Sequence, residues 1–167
     1  MRTLDITMPE MRPVQIPTKG LSWFKRFITH FQRRKWEITE DYYLYVPDLE
    51  EILFIPKGFI FDGASVPRIA WPIMNPTGIL LIGSLFHDFG YRYDCFLNGT
   101  GTIIHGAAGR AFFDKQIRDI SIYINDIHSM NTLAWAVLKV FGIFTWKTRR
   151  DENANVMDDF GSKVVHV

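Results

Sequence analysis

The sequence predicts an α+β fold: a small antiparallel sheet from about residue 35 to 61, followed by a half made of three helices. Three observations lead there. Short aromatic and β-branched runs, broken by Pro, Gly and Asp, fill residues 35–61. Longer runs with apolar residues three and four apart fill residues 77–146. The chain has 167 residues, 47% hydrophobic and 22% charged, the balance of one globular domain with its own core.

The elements follow in order. Residues 1–20 carry three prolines and no sustained period, and read as an extended arm. Leu21, Phe24, Phe27, Ile28 and Phe31 give Leu21–Arg34 the spacing of a short amphipathic helix with a basic opposite face. Strands are predicted at Lys35–Thr39, Tyr42–Val46 and Glu51–Ile55, separated by Pro47-Asp48 and Pro56-Lys57-Gly58, with Gly58–Phe61 as a fourth. Helices are predicted at Thr77–Tyr93, at Ala107–Ile124 with Phe112, Ile117, Ile120 and Ile124 as its core stripe, and at Met130–Trp146. Asn98-Gly99-Thr100-Gly101 is a loop, and residues 151–167 form a polar tail after a single domain at 21–150.

Charge and cysteine content narrow the classes. Net charge is +1, which gives no general attraction to nucleic acid, so Lys25, Arg26, Arg33, Arg34 and Lys35 are read as a solvated face. Cys95 is the only cysteine, and no disulfide within the chain is possible. The first twenty residues lack the apolar run of a signal peptide. Met130–Trp146 is apolar but shorter than the roughly 20 residues of a spanning helix, and Lys139 sits near its middle, so it is expected to pack on protein.

Two motifs carry chemistry. Asp62-Gly63-Ala64-Ser65-Val66-Pro67 follows a strand with a tight turn whose small side chains let backbone groups approach a ligand or ion; Asp62 and Ser65 also suit plain turn capping. His87-Asp88-Phe89-Gly90-Tyr91 sets polar groups in an apolar helix. His87 and Tyr91 are four apart and share a face, and Ser84 joins them. Buried polar groups need partners, so a network is expected, with Asp114 on the next helix as the second carboxylate. Its two readings are a functional site and a satisfied packing network. Asp94, Asp119 and Asp126 are expected to face solvent.

Taken together, Pro56-Lys57-Gly58-Phe59, Asp62-Gly63-Ala64-Ser65-Val66-Pro67, His87-Asp88-Phe89-Gly90-Tyr91 and then Asp114 resemble a family of uncharacterised proteins common in phages and prophages. That family is marked by a (V/I)P-x-GF-x-(T/F)D-x-AS-(I/V)P stretch and a later HD-x-x-Y. The resemblance runs from residue 35 to 145 and implies a phage or prophage origin, but no settled activity.

The His-Asp-x-x-Tyr helix is also similar to the catalytic helix of phospholipases A2. That similarity implies His87 as the base that activates water, Asp88 as a calcium ligand, and Tyr91 as a group that helps Asp114 hold the histidine. The glycine- and cysteine-rich calcium loop of those enzymes is absent, and Gly90 stands where secreted forms have cysteine. Asp62 and Gly63, in the Asp62-Gly63-Ala64 turn, are the candidate replacement ligands for calcium.

The leading expectation is a phage-encoded hydrolase-like protein with phospholipase A2-like ester hydrolysis. The alternative is a non-enzymatic virion, tail or host-interaction protein. The partners implied are phage structural proteins, a host component or lipid, without nucleic acid. The implied location is the host cytoplasm or the virion.

Overall fold

The computed structural model describes residues 6–29, 35–62, 80–149 and 155–164. Alternation shapes the best-defined hairpin. Strand β3, Tyr42–Val46, buries Tyr42, Leu44 and Val46 and exposes Tyr43 and Tyr45, as a period of two requires when one face meets the core. It pairs antiparallel with β4, Glu51–Ile55, in a register from Tyr42↔Ile55 to Val46↔Glu51. A 3-10 turn at Pro47–Leu49 reverses the chain, and Glu50 ends it in the left-handed region with φ 54°. Both strands have the ends that the sequence predicts.

The small antiparallel sheet expected at 35–61 is divided between two. In one, β2 (Trp36–Ile38) lies between β1 (Met11–Pro13) and β5 (Ile60–Phe61), all antiparallel. In the other, β3 and β4 continue into β6 (Phe96–Asn98) and β7 (Ile103–Ile104), in the order β3-β4-β6-β7. Both additions come from outside the predicted range. Part of the expected arm is a strand, because an open edge of β2 offers ladder partners to an extended segment. The Val14 N–H donates to the Lys35 carbonyl at 2.9 Å, and Arg12 grips the Glu37 carboxylate at 3.0 and 3.1 Å. The β6–β7 hairpin turns through the predicted loop, where the Asn98 side-chain oxygen accepts the N–H groups of Thr100 and Thr102 at 3.1 and 2.9 Å. Strands of two and three residues are too short to show an alternation in sequence.

Five helices complete the described fold. Helix α1 (Trp23–Thr29) buries none of its residues; positions 30–34 of its predicted span lie outside the described residues. Helix α2 (Leu81–Tyr93) is buried from Leu81 to Tyr91, and positions 77–79 of its expected start are also outside. Helix α3 (Arg110–Asn125) starts three residues later than expected. Ala107 has φ 56° and Gly109 φ 77°, left-handed conformations that no α-helix contains. Ile117 and Ile120 of its predicted stripe are buried, while Phe112 and Ile124 pack on the core while partly exposed. Helix α4 (His128–Arg149) packs along α3. Among the described residues no helix is long and apolar enough to cross a membrane.

The core fills the space between the sheets and α2 with interlocked rings. Phe59 meets Phe89 at 5.1 Å, and Phe96 meets Phe113 at 5.2 Å, both edge to face, the geometry ring quadrupoles favour. Residues 155–164, within the polar C-terminal stretch, pack on the core. Helix α5 (Val156–Phe160) is capped by Asn155, whose side chain accepts the Met157 N–H at 3.0 Å. Val156 and Val164 are buried, the Tyr93 hydroxyl donates to Asp159 at 2.5 Å, and Lys163 pairs with Asp41.

Candidate functional site

Gly83, His87 and Gly90 fall on one face of α2, at spacings of four and three. The two glycines admit α3 at close range. A Cβ at position 83 would lie 2.2 Å from Ser121 Oγ, and one at 90 would lie 2.1 Å from Phe113 Cδ1. The helices run antiparallel, since the later glycine meets the earlier part of α3. His87 sits between the two close approaches, opposite Asp114.

There the polar groups converge. His87 Nε2 is 3.2 Å from Asp114 Oδ1, and the Tyr91 hydroxyl donates to the same oxygen. Arg110, one turn before Asp114 on α3, places Nη1 3.3 Å from Oδ2. On the other side of the imidazole, Nδ1 is 3.6 Å from Asp88 Oδ1. The group is almost wholly enclosed: Tyr91 is 0%, His87 1%, Asp114 2% and Asp88 4% exposed.

Helix α4 closes the cluster. A Cβ at Gly142 would stand 2.8 Å from the Tyr91 hydroxyl and 3.1 Å from Arg110 Nη1, so the backbone of α4 rests directly on the polar atoms. Arg110 also donates to the Leu138 and Lys139 carbonyls at 3.3 Å each. Trp146 sets its ring edge-on to Tyr91 at 4.9 Å.

Electrostatics follow from that geometry. Burial works to lower the pKa of His87, but its hydrogen bond to Asp114 and the nearby negative charges of Asp114 and Asp88 outweigh it, and the net shift is upward. Burial, and then the Asp114 carboxylate, push the Tyr91 phenol far above its ordinary value, so it remains a donor. With Nε2–H given to Asp114, the neutral imidazole carries its lone pair on Nδ1, which has no hydrogen-bond partner among the described residues. Chemically this is a proton acceptor whose tautomer and orientation are fixed by a carboxylate, itself held by a phenol and a guanidinium. The raised pKa makes Nδ1 a stronger base and also favours its protonated form, so the two effects oppose each other near neutral pH.

Of the residues singled out in the sequence, His87, Tyr91 and Asp114 meet directly, and Asp88 flanks them. Ser84 is buried on α2, but its hydroxyl donates to the Leu81 carbonyl at 2.8 Å and does not join the histidine. Asp62 follows β5 and is half-buried. Gly63, Ser65 and Pro67 lie outside the described residues.

Calcium takes six to eight oxygen ligands. Among the described residues no group of three or more His, Cys, Asp or Glu side chains is placed to hold a metal ion. The Asp88 carboxylate faces the imidazole.

Two expectations of solvent-facing carboxylates are corrected. Asp94 is buried rather than solvent-facing, because it ends α2 with φ 53° and its carboxylate accepts the Gly109 N–H at 2.9 Å. The Asp119 side chain is mostly covered by its ion pairs with Lys115 at 2.6 Å and Arg118 at 2.7 Å. Asp126 is exposed, as expected.

Arg110 and Gly142 were not found from sequence. Arg110 had a signal, since it precedes Asp114 by four on one helix, an i,i+4 ion-pair spacing. Gly142 had only its presence inside an apolar helix, which names no partner.

Comparison with known proteins adds a family and no activity. No curated protein and no solved structure matches the chain. Residues 36–122, which include α2 and most of α3 with Asp114 but not α4, match the family model described as a protein of unknown function, DUF1353, and the chain belongs to that family.

Proposed function

We propose that the protein is a phage-encoded, hydrolase-like enzyme that cleaves ester bonds of the phospholipid type, with His87 as its general base. The observation that carries this reading is the shared oxygen of Asp114: it accepts from both His87 Nε2 and the Tyr91 hydroxyl and leaves Nδ1 directed away. In the reaction, water passes a proton to Nδ1 as its oxygen attacks the ester carbonyl. Asp114 steadies the imidazolium, which returns the proton to the departing alcohol oxygen. One ester and one water become one acid and one alcohol.

The test is fatty-acid release from phospholipid vesicles by purified protein, with calcium and with chelator as separate arms. Release is expected, and His87→Gln and Asp114→Asn should each reduce it by about a hundredfold or more. No release in either arm, together with a His87→Gln variant whose main change is a lower melting temperature, would sink the proposal.

One observation favours a second reading. His87 is only 1% exposed and α4 lies directly on its partners. Under that reading the cluster ties α2, α3 and α4 together in a non-enzymatic phage structural or host-binding protein. Hydrogen exchange separates the two readings. A site that admits water should exchange around Tyr91 faster than the global unfolding rate allows.

A further inference from the structure

Helix α1 reverses the usual division between inside and outside. Trp23, Phe24, Phe27 and Ile28 are 78, 58, 54 and 46% exposed, and no residue of the helix is buried. At about 100° per residue these four side chains occupy one arc. Lys25 and Arg26 flank that arc, each about 60° beyond one of its edges. Trp23 and Phe24 meet edge to face at 6.0 Å, which joins them into one aromatic projection.

The charge of this segment has a single sign. From Thr18 to Thr29 the chain carries Lys19, Lys25 and Arg26 and no acidic residue. All three are exposed, and among the described residues none of them has an ion pair. Elsewhere on the surface, Arg12, Arg92 and Lys163 are each matched by a carboxylate.

We infer that α1 is a membrane-docking element that lies in the interface of an anionic phospholipid bilayer. An exposed apolar arc with aromatic residues suits the boundary between headgroups and acyl chains, where a tryptophan can bury its ring and keep its N–H hydrated. Unpaired basic residues beside it meet anionic headgroups, and their aliphatic stems extend along the apolar arc. A nucleic acid would use the charges but not the apolar arc. A second copy of the chain would use the apolar arc but would bring like charges together. A bilayer uses both. The helix lies on the membrane and does not cross it, since seven residues span only about 10 Å. The inference does not depend on catalysis at His87.

The experiment is co-sedimentation of the full chain with vesicles of phosphatidylcholine alone or mixed with about one-fifth phosphatidylglycerol, at about 0.1 M salt. Anionic vesicles should bind at least about tenfold more protein, and the difference should shrink as salt rises. A Trp23→Ser/Phe24→Ser double variant and a Lys25→Glu/Arg26→Glu double variant should each lose that binding. Both should fold as the parent does, because the residues they change are exposed. Fatty-acid release is measured in the same samples, and the Trp23/Phe24 variant, remote from His87, should lose binding whether or not the parent cleaves lipid, which keeps failure of docking distinct from failure of hydrolysis. The inference is overturned by absence of binding to anionic vesicles, or by binding that the Trp23/Phe24 variant leaves unchanged. It is equally overturned if the parent self-associates through α1 and binds no lipid.

Discussion

Helices α1 and α2 contain similar proportions of apolar residues and meet opposite fates. In α2, buried from Leu81 to Tyr91, a histidine, an aspartate and a tyrosine are drawn into the core with the leucines and phenylalanines. In α1, nothing is buried and a tryptophan and two phenylalanines stand in solvent. Polar groups inside cost free energy unless they are paired, and large apolar groups outside forgo the gain of burial. Both departures are therefore places where packing alone does not account for residue choice. The difference shows where stability and function separate: changes in the α2 cluster should be felt through the whole fold, whereas changes in α1 should be felt only by whatever it meets.

The largest effect that sharpens this contrast is expected at Asp114. Replacing it by Ala removes the acceptor shared by His87 and Tyr91 and strands Arg110 beside them. Breaking a buried charge cluster by removing one partner costs about 3–5 kcal/mol. Urea denaturation should show that loss. A cost below about 1 kcal/mol would mean that the cluster contributes little to the fold.

A smaller effect should appear in the pH dependence of stability. The folded pKa of His87 is raised, with burial opposing the shift and Asp114 and Asp88 overcoming it. Protonation therefore stabilises the folded state. The contribution is complete below the unfolded value of about 6.5 and is lost as pH rises through the higher folded value. The melting temperature should fall over that window in the parent and fall less in His87→Gln. Parallel curves for the two proteins would show that the imidazolium is not favoured by folding.

The smallest effect is expected on α1. Trp23→Ser with Phe24→Ser should change the unfolding free energy by no more than about 0.5 kcal/mol, as for other exposed positions. A change of several times that size in the same denaturation experiment would show that α1 is packed in solution, and the contrast with α2 would be lost.

Much of the fold was legible because local pattern and tertiary environment agreed. Tyr42–Val46 and Glu51–Ile55 alternate in sequence and pair as they read. The three long helices appear where apolar spacing puts them, with ends shifted where left-handed residues such as Ala107 forbid helix. The pairing of β1 with β2, and of β6 with β4, was not legible, because strands of three residues do not show which edge they will join. The same limit applied to the end of the chain, whose anchors are Val156, Asp159 and Val164 in a polar stretch.

The sequence alone determined that His87 and Tyr91 share a helical face, because four residues make about one turn, and that a buried histidine of this kind would need a carboxylate. It also marked α1 as amphipathic, because that property depends only on spacing. Tertiary structure decided the rest. Asp114 became the partner because Gly83 and Gly90 bring α3 close enough for contact, and Gly142 admits the backbone of α4 over the polar atoms. Which apolar face is covered was decided there too, since burial depends on a partner surface that no local pattern encodes. Side-chain periodicity belongs to one segment; the distance between two helices depends on the atoms of both.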